Sequence, residues 1–206
     1  MSARPRRRPK LPRVRNSVLA CLLTCGCAVL QPALAQTASA PSPTASLPDG
    51  QHDFDWEIGT WKTHLKLLLN PLSGDPPNWT ELTGTSVIRK VWNGRSNLVE
   101  LVADGAGLHI EGASWRLYDP KTRQWSLNFS NSRVGTLTPP MYGEFKDGVG
   151  VFYGQDFNDG RAVLVRFVIT PITPDKYRFV QSYSGDGGKT WEVNWIATDT
   201  RVMGNP

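Results

Sequence analysis

Side chains able to do acid–base, nucleophilic or metal chemistry are sparse and unevenly placed along the 206 residues. All three cysteines, Cys21, Cys25 and Cys27, lie in one apolar run near the N-terminus, so the rest of the chain carries no thiol nucleophile, disulfide or thiolate metal site. His52, His64 and His109 are 12 and 45 residues apart, which is no local metal-ligand spacing. Nucleophile-elbow, phosphate-loop and dinucleotide fingerprints are missing from the sequence. What remains for catalysis is a carboxylate beside a cation and a phenol. Glu192, Arg116 and Tyr118 could exchange a proton with a bound molecule, without cofactor, if they converge in a buried space.

Two acidic motifs have structural readings. Asp53, Asp55 and Glu57 alternate with Phe54, Trp56 and Ile58, and no glycine occupies the sixth place that a calcium loop needs. They read as acids in a short helical turn, favoured there by its dipole. Ser184 to Trp191 (SGDGGKTW) fits the Asp-box hairpin of sialidases and other propellers. Propellers carry several such copies and more blades than this length supplies, so the single copy reads as a turn capped by Asp186. No metal centre and no cofactor are expected.

The elements that must position these residues are strands. No stretch between residues 60 and 202 sustains the apolar spacing of a helix; period-two or continuous β-type runs recur instead. Ten strands are predicted, at Thr60 to Leu69, Glu81 to Trp92, Asn97 to Ala103, His109 to Tyr118, Gln124 to Ser130, Met141 to Lys146, Val149 to Asp156, Ala162 to Thr170, Tyr177 to Tyr183 and Thr190 to Arg201. Asn93-Gly94, Asp104-Gly105, Asp119-Pro120, Asp147-Gly148, Asn158-Asp159-Gly160 and Asp186-Gly187-Gly188 supply tight turns between them. Only the connector around Pro71 to Pro77 reads as long. Ten hairpin-linked strands must hide their edges, and an all-β, up-and-down antiparallel barrel does so by closing.

The entry to this body, Asp53-Phe54-Asp55-Trp56-Glu57-Ile58-Gly59-Thr60-Trp61, resembles the lipocalin-like, or calycin, superfamily, whose first strand opens with Gly-x-Trp after a short helical turn. The resemblance implies that Gly59 and Trp61 begin the barrel, that Phe54 to Ile58 close one end, and that Arg201 of the last strand lies over Trp61. Segments such as Leu117 to Ser126, Asp147 to Gly154 and Asp186 to Trp195 are similar to a family of uncharacterised bacterial exported proteins with such a barrel, over roughly His52 to Val202. A haem-binding relative in the superfamily ligates iron with a late histidine. Nothing after His109 could do so here.

A barrel of this size encloses packed side chains or a small cavity. Along the last strand, alternation puts Trp191, Val193 and Trp195 on one face and Glu192 and Asn194 on the other; Tyr177, Phe179, Gln181 and Tyr183 share a face of the strand before. The candidate ligand pocket therefore comprises Phe179, Gln181, Tyr183, Trp191, Asn194 and Trp195, with Trp115 and Trp125. If Glu192 and Asn194 instead point inward, burial requires a partner such as Arg116 or Arg166. Three functions stay open: an exported protein that binds a small apolar or aromatic molecule or serves as a scaffold; a cofactor-independent barrel enzyme of isomerase, hydrolase or decarboxylase type; and a homodimeric interaction module.

The formal charge of +5 depends on the N-terminus. Residues 1 to 35 hold seven basic residues, no acid, the uncharged run Val18 to Leu30 and an Ala33-Leu34-Ala35 exit, the pattern of a secretory signal peptide. Its apolar run is too short for a stable membrane span. Thr24 before Cys25 argues against lipid anchoring, so a periplasmic or secreted destination is expected. Without the segment, 16 basic face 18 acidic residues, a charge of −2, and a nucleic-acid partner loses its cationic footprint. Residues 36–50, rich in Ala, Ser, Thr and Pro, read as a flexible leader to a barrel domain at 51–203.

Overall fold

A computed structural model describes residues 49–203 of the chain. The expected signal peptide and nearly all of the leader lie outside these residues. Ten antiparallel strands follow one another around a closed barrel: β1 (Gly59–Leu68), β2 (Trp79–Val91), β3 (Ser96–Gly105), β4 (Leu108–Asp119), β5 (Gln124–Asn131), β6 (Met141–Lys146), β7 (Val149–Asn158), β8 (Arg161–Thr173), β9 (Lys176–Ser184) and β10 (Glu192–Arg201). β1 pairs with β10 to complete the circle, from Trp61 opposite Arg201 to Leu67 opposite Trp195. The all-β up-and-down barrel expected from the sequence is the observed architecture.

Period-two patterning builds these strands. On β1, Trp61, Thr63 and Leu65 are buried while Lys62 and His64 face solvent. Tight turns use left-handed backbone where the sequence supplies it, as at Asp147-Gly148 and Asp159-Gly160. The turn expected at Asp104-Gly105 falls instead at Ala106-Gly107. Gly105 belongs to β3, where a side chain would come within 2.4 Å of the Glu81 carbonyl oxygen; its lack of a Cβ serves close backbone approach rather than a turn.

Strand direction alternates, so the connectors fall at two ends. At one end lie the connectors 69–78, 132–140 and 185–191 together with two tight turns. The 132–140 connector is as extended as the one around Pro71, a second long loop that the turn signals did not reveal. Gly135 and Pro139-Pro140 keep it out of the ladder. The opposite end is closed by the chain entering β1. Single 3-10 turns at Gly50–His52 and Asp55–Glu57 carry Phe54 into the barrel, where it packs edge-on against Trp125 and Phe145, 4.9 Å between ring centroids in each case. Trp61, Ile88, Phe152, Ile169 and Tyr177 complete this closed-end core. Arg201 seals it: its guanidinium lies 4.1 Å over the Trp61 ring and donates to the carbonyls of Ile58 (3.0 Å) and Trp56 (2.6 Å). Gly59, at φ 135°, leaves room for that guanidinium, since a Cβ there would sit 2.9 Å from Arg201 Nη1.

Among the described residues no helix is long and apolar enough to cross a membrane.

Candidate functional site

Above the plugged end the barrel encloses a cavity of about 620 Å³ that opens between the long loops. Its wall is apolar and aromatic at mid-height. Phe167 and Phe179 meet edge-on at 5.0 Å, with Leu101, Trp195 and Ala197 beside them. Val134 and Leu137 of the 132–140 connector lie at the mouth and remain half exposed.

The floor is polar. Asp199 of β10, 1% exposed, stands opposite Tyr177 of β9 and Thr63 of β1. The Thr63 hydroxyl donates to Asp199 Oδ1 at 2.5 Å and shares a 2.7 Å hydrogen bond with Ser86 of β2. The Tyr177 hydroxyl lies against the carboxyl groups of both Asp199 and Glu57. Glu57, 1% exposed, reaches in from the 3-10 turn and forms a two-pronged ion pair with Arg116 of β4, through Nη1 to Oε2 and Nη2 to Oε1, the latter 3.3 Å. Arg116 also lies 4.3 Å over the Phe54 ring, so the plug and the floor share one guanidinium.

Electrostatics follow from this packing. Two buried carboxyl groups share one cation, and Glu57 holds it. Burial, with the nearby Glu57 charge, pushes the Asp199 carboxyl up to about 7, against the Thr63 and Tyr177 hydrogen bonds and the attraction of Arg116. Burial likewise drives the Tyr177 phenol well above its ordinary value, reinforced by both carboxylates. Asp199 can therefore donate or accept a proton near neutrality at the bottom of an apolar chamber.

Of the residues picked from sequence, the structure brings together Phe179, Gln181, Tyr183, Asn194, Trp195 and Arg116 on the cavity wall. A bulge between Val193 and Trp195 breaks the alternation, so Asn194 and Trp195, expected on opposite faces, both line the cavity. Trp191 lies outside, stacked on Arg166 (4.6 Å) and near Tyr153. Trp115 is also outside, 40% exposed and tilted against Trp92. Trp125 is buried in the plug, where its indole N–H donates to the Gly50 carbonyl at 2.9 Å. Glu192 and Arg116 do not meet. The Glu192 carboxylate accepts the Leu72 N–H at 2.5 Å and pins the 69–78 connector at the rim. Tyr118 serves the plug: its hydroxyl accepts the Gly50 N–H at 3.1 Å, and burial with the Asp49 carboxylate pushes its phenol up to about 12.

Sequence reasoning missed Asp199 as a lumen residue and Glu57 as the buried partner of Arg116 beneath it, although signals for both existed. Phe54 and Glu57 are three apart, and in a 3-10 turn such residues eclipse, so a buried Phe54 carries Glu57 inward. Arg201 over Trp61 fixes the inward face of β10 from its end, and Asp199 lies two residues back on that face. Among the described residues no group of three or more His, Cys, Asp or Glu is arranged to hold a metal ion.

No protein-family model and no curated protein matches the chain. Among solved structures it is similar to an S-type phycobiliprotein lyase from Guillardia theta, with TM-score 0.53 and 16% identity over 77% of this chain and 95% of that one. A designed fluorescence-activating β-barrel matches with TM-score 0.38 and 13% identity, over 76% of this chain and 100% of the design. A protein of unknown function from the DUF3598 family of Nostoc punctiforme matches with TM-score 0.20 and 8% identity, over 76% and 100% of the two chains. The likeness to the lyase is one of fold.

Proposed function

We propose that the barrel binds a small, largely apolar or aromatic molecule in its lumen. The observation that carries this reading is the cavity of about 620 Å³, open at the end of the long loops and walled by Phe167, Phe179, Tyr183 and Trp195. That volume lies within the range of sites for small organic ligands, and the combination of an apolar wall with a few convergent polar groups is their usual composition. The barrel likeness to the phycobiliprotein lyase is compatible with this use, and export remains part of the proposal on the strength of the N-terminal charge and hydropathy pattern.

Titration with 1-aminoanthracene, a neutral aromatic fluorophore, tests it. Saturable one-to-one enhancement of probe emission is expected, with quenching of tryptophan fluorescence as Trp195 transfers energy. Ser114 lines the lumen from β4. Ser114→Phe should fill part of the space and weaken binding about tenfold or more while leaving the circular dichroism of the barrel unchanged. Saturable binding that is indifferent to Ser114→Phe would place the probe elsewhere and remove the basis of the reading.

A further inference from the structure

Which end-group the lumen accepts follows from how its charges are spent. Among the described residues lining the cavity, Arg116 is the one cation, and Glu57 already occupies both of its terminal nitrogens. The acids that line the wall are Asp199 at the floor and Asp156 towards the mouth; the other titratable lining groups are the phenols Tyr177 and Tyr183. An entering carboxylate would meet two acids and no cation free to neutralise it, and burying such a charge unpaired is strongly unfavourable. An entering ammonium would instead meet two acids able to pair with it, so the lining excludes anions rather than cations. A neutral hydroxyl or carbonyl avoids the cost of the unpaired anion.

Two residues that line the wall each keep one buried atom without a partner, and the chemistry of the two atoms is complementary. Asn194, 3% exposed, keeps its Oδ1 acceptor unbonded, while its amide lies against the Tyr183 hydroxyl. Arg116, 7% exposed, keeps its Nε donor unbonded. Buried polar atoms in native proteins nearly always have partners, so orphans in a cavity wall point to a ligand that supplies them. A hydroxyl can satisfy an acceptor or a donor; a carbonyl can take the Nε–H.

Resting on the lumen reading above, we propose that the protein selects uncharged ligands, apolar or aromatic molecules bearing a hydroxyl or carbonyl, over carboxylates of the same skeleton. The Glu57–Arg116 pair acts as the filter, because it withholds the guanidinium that would otherwise bind an anionic head.

Matched fluorescent probes test it: 1-pyrenebutanol, 1-pyrenebutyrate and 1-pyrenebutylamine, titrated into the protein at pH 6 and pH 8. The alcohol is expected to bind about tenfold or more tighter than the butyrate, a gap that widens at pH 8 as Asp199 ionises, whereas the amine should gain on the alcohol over the same interval. Glu57→Gln should reverse the preference by freeing Arg116, raising butyrate affinity at least about tenfold relative to the alcohol. Asp199→Asn, which leaves the ion pair intact, should bind all three probes with no change in discrimination between the two pH values. If Glu57→Gln does not fold, Asp199→Asn and the wild-type probe series still decide the matter. Equal affinities for alcohol and butyrate, or butyrate the tighter of the two in the wild type, overturn the charge selection while leaving a ligand-binding lumen. No binding of any probe overturns that reading as well.

Discussion

The sharpest physical consequence of the lumen is the acid it hides. In an unfolded chain an aspartate titrates near 3.8, whereas in the barrel Asp199 holds its proton up to about pH 7. Below about pH 4 both states carry the proton and the group favours neither. Between about 4 and 7 the unfolded chain has released its proton and the barrel has not. The native state then binds more protons, and stability falls as pH rises. Above about 7 both states are ionised and the full penalty is in place, roughly 4 kcal/mol from the 1.36 kcal/mol that each pH unit of displacement represents.

Asp199→Asn removes the titration and retains an amide oxygen where the Thr63 hydroxyl donates. At pH 4 the variant should equal the wild type or trail it by about 1 kcal/mol, the worth of an imperfectly replaced hydrogen bond. By pH 8 it should be the more stable protein, the difference between the two having risen by about 4 kcal/mol, with its steepest change between pH 4 and 7. Urea unfolding at half-unit pH intervals, followed by tryptophan fluorescence, measures this directly. The comparison with wild type cancels titrations the two proteins share, provided the denaturant slopes agree. A difference that stays within about 1 kcal/mol over the whole range, or that moves in the wild type's favour as pH rises, would refute the assignment of a protonated carboxyl to the floor.

Two further outcomes follow from the seals at either end. Arg201→Ala removes a cation from the Trp61 ring and two charge-assisted hydrogen bonds from the Ile58 and Trp56 carbonyls. It should destabilise the barrel by about 3 kcal/mol, and Arg201→Lys by less, since an ammonium keeps the charge without the fork; urea unfolding of both gives the values. At the mouth, Glu192→Ala releases the Leu72 N–H, and the connector it pins should then free a bound pyrenebutanol about threefold faster or more, as read by stopped-flow dissociation with stability little changed. A wild-type dissociation rate would show that the 69–78 connector does not govern exit.

The barrel was legible because each strand carries its own record of inside and outside. Met141 to Lys146 coincides with β6, and the ends of the other nine strands lie within three residues of expectation. Closure was legible too, since hairpin turns and a lack of crossover helices leave few alternatives. The site was harder, because its residues depend on phase. One extra residue at Asn194 inverts the face of everything before it on β10, so Trp191 stacks outside with Arg166 while Trp195 lines the lumen. Sequence alternation carries no mark of such a bulge. Trp115 and Trp125 illustrate a second limit. Both are large aromatics suited to a pocket, yet one faces solvent and the other closes the plug, and only the pairing of β4 with β5 and the path of the N-terminal turns decide between these places.

The composition of the floor bears on whether the lumen is merely a space left by packing. A layer of a small barrel can be filled with apolar residues, as Leu65, Leu82, Ala103 and Ala197 fill the neighbouring one. Replacing a buried ion pair by well-packed apolar residues is often neutral or stabilising, and a buried protonatable acid costs stability above the pH at which its unfolded form ionises. Glu57, Arg116 and Asp199 thus occupy positions where a scaffold would gain from hydrocarbon. Asp199 takes no part in the plug, which Phe54, Trp61 and Trp125 close with apolar contact and Arg116 braces over the Phe54 ring. A polar floor with a buried acid, a chamber of ligand size above it, and unpartnered donor and acceptor atoms on lining residues fit the proposed ligand-holding lumen better than a scaffold.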